Sequence, residues 1–239
     1  MTYLKTNKNL FHKAIILFIC CNSYSLLAQK DTSIIQHLEI HTNPLTFGYY
    51  NPSYRLGVEY VKNQLGYVVE YGFGNTALNG YRFNATEGKQ GNQYLYNNIR
   101  LEFKYYLKKL KQGRNVYVSS ELFLMQVTDV IYNSYYVPVS KDSYTEYSFT
   151  KADFLHQKYG VNLKIGGKRI IKNRIIMDGY MGVGIVKYVV DYSNIENQKP
   201  SEPTVTDGFP FFPNYSKETN SIKLDFIIGL KLGYILWKN

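Results

Sequence analysis

The chain has 239 residues, with 28 Lys plus Arg against 18 Asp plus Glu, a formal surplus of ten positive charges. Its 45% hydrophobic content excludes an intrinsically disordered chain, and its length fits one or two domains. Only 19% of residues are charged while Tyr alone numbers 25, and no long helical pattern gathers the Lys and Arg on one stripe, so the surplus does not read as a nucleic-acid surface.

Residues 1 to 29 have the layout of a secretory signal peptide. Lys5, Lys8, His12 and Lys13 form a basic start, and Ala14 to Cys21 (AIILFICC) is an apolar run too short to cross a bilayer as a helix. Asn22 and Ser23 interrupt that run, which argues against an anchor, and cleavage is expected after Ala28 in SLLAQ. The two cysteines, Cys20 and Cys21, both lie in this segment, and LFIC lacks the small residue expected before a lipidated cysteine. Residues 30 to 239 are therefore expected to hold no disulfide, thiolate metal site or Cys nucleophile.

From there on the sequence alternates with period two, the mark of strands with one apolar face. A first strand is expected near 35 to 47. Tyr54, Leu56, Val58 and Tyr60 alternate with Arg55, Gly57 and Glu59. Leu65, Tyr67, Val69, Tyr71 and Phe73 alternate with Gly66, Val68, Glu70, Gly72 and Gly74. Ile99, Leu101, Phe103, Tyr105 and Leu107 do so against Asn98, Arg100, Glu102, Lys104 and Tyr106. Further strands are expected near 116 to 128, 154 to 166 and 175 to 188. A last one sets Ile222, Leu224, Phe226, Ile228, Leu230, Leu232, Tyr234 and Leu236 against Lys223, Asp225, Ile227, Gly229, Lys231 and Gly233.

The connections after the second, fourth and sixth strands are short, and those after the third, fifth and seventh are long, near 76 to 92, 130 to 152 and 190 to 220; GYYNPS, after the first strand, is a short exception. Uninterrupted apolar faces, glycines mixed with charges on the other face and aromatics near strand ends (Tyr54, Tyr60, Tyr71, Phe73, Tyr105, Tyr188, Tyr234, Trp237) favour a lipid-facing band over a soluble sandwich. The expectation is an all-β chain whose residues 30 to 239 form an eight-stranded antiparallel up-and-down transmembrane β-barrel in the cell outer membrane, with both termini in the periplasm.

NPLTFGYYNPSYRLGVEY at 43 to 60 resembles the opening hairpin of small outer-membrane β-barrel proteins of Bacteroidetes whose function is not known, and IIMDGYMGVGIVKY at 175 to 188 is similar to a late strand of that group. The resemblance implies an eight-stranded barrel broadly like the membrane domain of OmpA, and it carries over no catalytic residue.

Lipid A deacylases and palmitoyltransferases are barrels of this size that use a Ser with a His and a carboxylate. After the leader only His37, His41 and His156 remain, no His-x-Ser-Asn segment is present, and His156 in DFLHQKYG has no serine partner nearby in sequence. His37, Glu39 and His41 share one face of the first strand, but same-face neighbours ~6–7 Å apart do not converge on one ion without help from another strand, so they read as polar lining. Gly179, Gly182 and Gly184 lack the context of a phosphate loop and read as small residues inside a tight barrel. No catalytic, cofactor or metal site is expected.

Alternation assigns Arg55, Arg100, Lys104, Lys158, Lys164, Lys223 and Lys231 to the lumen, facing Glu39, Glu59, Glu70, Glu102, Glu121, Asp178 and Asp225. A balanced set inside so narrow a barrel implies a paired plug rather than a selective pore. The remaining surplus collects at the short turns, where Lys62, Lys108, Lys109, Lys111, Arg114, Lys168, Arg169, Lys172, Arg174 and Lys238 form a periplasmic basic rim suited to phospholipid head groups. The aromatics Tyr132, Tyr135, Tyr136, Tyr144 and Tyr147, with GFPFFPNY at 208 to 215, either extend the strands and pack on each other or offer a docking surface.

The expected function is a non-enzymatic barrel with a structural or surface-interaction role. Its expected partners are outer-membrane lipid, the barrel-assembly machinery and an extracellular partner at the long loops, with no nucleic acid. The alternatives are a lipid A-modifying hydrolase or acyltransferase, which a change in lipid A mass would reveal, and a secreted soluble β-barrel binding an apolar ligand, which solubility without detergent would reveal.

Overall fold

A computed structural model describes residues 36–48, 53–75, 93–108, 113–138, 145–201 and 218–239. The expected signal peptide, Lys109, Lys111, Tyr144 and the 208 to 215 segment lie outside the described residues. The described chain is all-β, a single antiparallel sheet with one short 3-10 turn, Pro44–Gly48. Its strands are β1 (Gln36–Thr42), β2 (Tyr54–Lys62), β3 (Leu65–Asn75), β4 (Leu95–Tyr106), β5 (Gly113–Tyr136), β6 (Glu146–Ile171), β7 (Ile175–Glu196), β8 (Lys199–Ser201) and β9 (Thr219–Lys238).

The sheet closes in a ring. Each strand from β1 to β7 pairs with the next, β7 pairs with β9, and β9 returns to β1, with Gly113↔Ile170 and Ile175↔Tyr234 fixing two of the later registers. Gln36 and Asn239 seal the last seam by exchanging backbone hydrogen bonds of 3.3 and 2.9 Å. The small β8 adds to β6 at Glu146↔Ser201.

The period-two reading sets the two surfaces of this ring. Outward positions are apolar and open, Leu163 and Ile185 at 62% and Leu224 at 73% exposure, while their sequence neighbours Asn162, Lys164, Val186 and Asp225 are buried. The expected aromatics Tyr54, Tyr60, Tyr71, Phe73, Tyr105, Tyr234 and Trp237 all face outward. Tyr188 does not; it is buried, because its parity along β7 matches Asp178, Tyr180 and Val186. Gly182 and Gly184 share that inward parity, whereas Gly179 falls on the outward side with Met181.

The wall is uneven in height. β1 to β4 run 7 to 12 residues, whereas β5, β6 and β7 run 24, 26 and 22. Strand ends expected at 128, 154 and 188 therefore continue to 136, 146 and 196. The alternating apolar signal stops there because the outer face turns polar at Gln126, Gln157 and Asp191, but backbone pairing needs no apolar side chain to continue. At the described ends of the connection after β1, Thr46 Oγ1 lies 2.8 and 2.7 Å from the carbonyl oxygens of Asn43 and Ser53.

A narrow ring makes room for two of its large inward side chains by placing glycine on a partner strand. Tyr117 lies opposite Gly166 and Tyr180 opposite Gly229; a Cβ at either glycine would fall 2.2 Å from the facing ring. At Gly167, one residue along and facing the other way, a Cβ would meet nothing within 4 Å. Gly166→Ala is expected to destabilise the fold by about 1–3 kcal/mol through overpacking, and Gly167→Ala to stay within about 0.5 kcal/mol of wild type. Urea-unfolding midpoints of the two variants check this, and equal midpoints would contradict the inward placement of Tyr117.

Candidate functional site

Charges, not apolar groups, fill the middle of the ring. Lys104 on β4 donates to Glu59 on β2 at 2.7 Å and to Asp178 on β7 at 2.6 Å, so one ammonium ties three walls together. Lys168 on β6 reaches Glu39 on β1 and Glu59, both at 2.8 Å. Lys231 on β9 pairs with Glu70 and, at 2.9 Å, with Glu102. Lys164 pairs with Glu121 and, at 3.4 Å, with Glu102, while Arg100 donates to Glu121 at 2.6 Å. His41 closes the chain of contacts, with Nε2 3.0 Å from Glu70 and Nδ1 4.0 Å from Glu39.

Neutral donors complete the carboxylates. Tyr106 and Tyr117 hydroxyls donate to Glu59 at 2.5 Å and Asp178 at 2.7 Å; Ser119 and Asn162 donate to Glu102 at 2.6 Å and Glu121 at 2.9 Å. The same tyrosine rings receive the ammonium groups on their faces, Lys104 over Tyr117 at 4.5 Å and Lys164 over Tyr180 at 4.6 Å. Burying an ion costs several kcal/mol even after relaxation, so a single partner seldom repays it. Here Lys104, Lys164, Lys168 and Lys231 each have two carboxylates, which is the arrangement that makes a buried set tolerable.

Apolar layers bound this network. Val61, Tyr106, Tyr117, Ile170, Ile176, Tyr180 and Ile235 form a cluster toward the short-turn end. At the other end Tyr136, Phe149, Phe154 and Tyr192 pack with ring centroids 5.1 to 6.0 Å apart, joined by Tyr94, Tyr96 and Val127. Tyr132, Tyr135, Tyr136 and Tyr147 accordingly stand on the prolonged β5 and β6, and Tyr136 and Tyr147 pack on each other at 6.2 Å. His156 is buried nearby, stacked on Tyr188 at 5.9 Å.

Most residues assigned to the interior by alternation are there. Arg55 is also buried, 3.9 Å from Glu70, and Lys158 pairs with Asp225 at 2.8 Å in the more open upper part. One assignment is corrected, that of Lys168. Lys223 keeps the inward parity of Asp225 and stands 5.7 Å from the buried Tyr188 ring, but near the start of β9 it is exposed. Lys168 is not on the rim but fully buried: β6 runs unbroken to Ile171, so GGKRII is strand rather than turn, and the alternation continues through Lys168 into the interior. Lys168 joins the interior cations, and Asp129 and Glu146, also buried, join the acids.

Lys168 also decides the fate of the imidazole and carboxylate set on β1. Donor atoms of Glu39, His41 and Glu59 lie within 4.8 Å of one another, β2 supplying the help that β1 alone lacks. The Lys168 ammonium sits between the two carboxylates, so a side-chain cation already occupies the place a metal ion would take, and His37 Nε2 engages the other Glu39 oxygen at 2.8 Å. Of the rim residues, Lys108, Arg114, Lys172 and Arg174 are exposed and Arg169 half-exposed.

No protein family matches the chain, and no curated protein and no solved structure matches it. The functional reading therefore rests on the geometry of the ring, inside and out. It holds, cross-links and neutralises. Lys104→Met would leave Asp178 with the Tyr117 hydroxyl alone, and a loss of about 3–5 kcal/mol is expected, the cost of breaking rather than replacing a buried pair. Lys104→Met combined with Asp178→Asn is expected to recover part of that loss; a double variant no better than the single one in equilibrium unfolding would contradict direct pairing.

Proposed function

We propose that the chain is an eight-stranded transmembrane β-barrel of the outer membrane, non-enzymatic, with a closed, polar lumen and a structural or surface-interaction role. The observation that carries this reading is the inversion of the ring: exposed Leu, Ile, Val and aromatic positions run around its outside while paired charges lie within. Monomeric soluble proteins rarely expose contiguous apolar patches above a few hundred Å², so a full belt of this kind calls for lipid. Among the described residues no helix is long and apolar enough to cross a membrane, so the strands would do the crossing. Kinship with the small Bacteroidetes outer-membrane group, a leader removed before Gln29, and recognition by the barrel-assembly machinery belong to the same proposal.

The closed lumen is supported by the cross-ring pairing of the interior charges and by the apolar layers above and below it. A selective pore would be lined by an excess of one sign. Refolded in detergent, the protein is expected to migrate differently on a gel before and after boiling, and to give negligible stable conductance in planar bilayers. Reproducible large channels would refute the closed lumen; a chain that stays monomeric in buffer without detergent would refute the membrane reading.

A further inference from the structure

Cations ring the short-turn end without compensation. Lys62 lies at the β2–β3 turn, Lys108 and Arg114 flank the passage from β4 to β5, Lys172 and Arg174 make the β6–β7 turn, and Lys238 ends β9 opposite His37. Among the described residues no acid is exposed at this end; Asp153, Asp191, Glu196 and Glu218, the exposed or half-exposed acids, all stand toward the other. The carboxylates beneath the rim are already engaged by Lys104, Lys168 and Lys231, so they do not offset it.

The aromatic residues indicate from which side an anion arrives. Arg174 sits over Tyr234, 5.7 Å from the ring centroid, and donates to its hydroxyl at 3.3 Å. Tyr234 and Trp237 face outward on the apolar belt, not into the ring. Lys172 and Asn173 both have positive φ, 48° and 68°, which closes the turn tightly, and the Ile235 amide donating to the Arg174 carbonyl at 2.8 Å fixes it against β9. Cations bordering outward aromatics on an apolar wall match a lipid interface, where the phosphate lies level with the aromatic girdle.

Resting on the barrel reading above, we propose that the β6–β7 turn and the adjoining end of β9 form a clasp for the phosphate of an anionic phospholipid, with Lys172 and Arg174 as its cations and Tyr234 and Trp237 as the bed for the glycerol and first methylenes; Lys238, paired with the inward His37, stands on the other face of β9. A free anion or a nucleic acid would meet the same charges but gain nothing from the aromatic wall.

The test is lipid retention by native mass spectrometry after release from nanodiscs holding equal phosphatidylglycerol and phosphatidylcholine. Wild type is expected to retain phosphatidylglycerol preferentially, and K172Q/R174Q to lose that preference by about fivefold per charge removed. K187Q/K199Q, which neutralises the opposite end, is expected to leave it unchanged. Raised salt should weaken the preference, since the groups are exposed. Equal retention of the two lipids by heat-modifiable wild type, or an unchanged preference in the folded double variant, would overturn the clasp while leaving the barrel standing. Loss of heat-modifiability in wild type would instead sink the barrel reading itself. Should the double variant not fold, a salt-independent preference in wild type overturns the clasp.

Discussion

Lys104 bonds two carboxylates from two different walls, and the rest of the interior is built around contacts of that kind. A charge enclosed by the ring has no water to fall back on, so it is tolerable only when its partners are already in place. Partners on neighbouring strands would satisfy charge without fixing shape. Here Glu39–Lys168 joins β1 to β6, Glu70–Lys231 joins β3 to β9, and Asp178–Lys104 joins β7 to β4, so the pairs that neutralise the interior also span it. The sheet and its filling specify each other: the ladders set the register, and only one register brings these side chains face to face.

That requirement explains features that look unrelated along the chain. Glycines stand opposite Tyr117 and Tyr180 because the rings that complete Asp178 and cradle Lys164 need room against the wall. Asn162 and Ser119 are inward because carboxylates with remaining lone pairs need neutral donors. The apolar clusters at both ends keep the charged layer dry, which strengthens every pair in it. The outer surface faces the opposite constraint. Among the described residues it is mostly apolar through the belt and turns polar at Lys187, Gln126 and Gln157 on one side and at Lys108, Lys172 and Arg174 on the other. Charge is thus gathered inside the ring and at its two ends.

Much of this was legible in the sequence because period two is a direct record of which side each residue faces. The parity of Arg100, Glu102, Lys104 and Glu121 is visible in six or seven neighbouring residues, and their inward placement followed from it. Strand ends were less legible. Past Leu124 and Tyr159 the outward residues cease to be apolar, so the signal fades although the ladder from Thr128↔Leu155 to Tyr136↔Tyr147 continues. Lys168 reads as a rim residue for a related reason: GGKR has the composition of a turn, and only the pairing Lys168↔Asp178 shows it to be strand. Tyr188 reads as a girdle residue because an aromatic near a strand end is ambiguous until parity is counted from Asp178. The identity of cross-ring partners was not legible at all, since alternation gives a residue's side and not its opposite number.

The central claim, that the outer face of this ring is a lipid surface, is tested most directly by tryptophan quenching. Trp237 is the one tryptophan of the chain, so in a Trp237→Phe background a new tryptophan placed in turn at Val118, Ser120, Leu122 and Leu124 reports one outward row of β5. The account predicts quenching by bromine on the acyl chains at all four, with a maximum whose depth shifts along the row, and weaker quenching at Gln126. Emission that ignores brominated lipid along the whole row would contradict it.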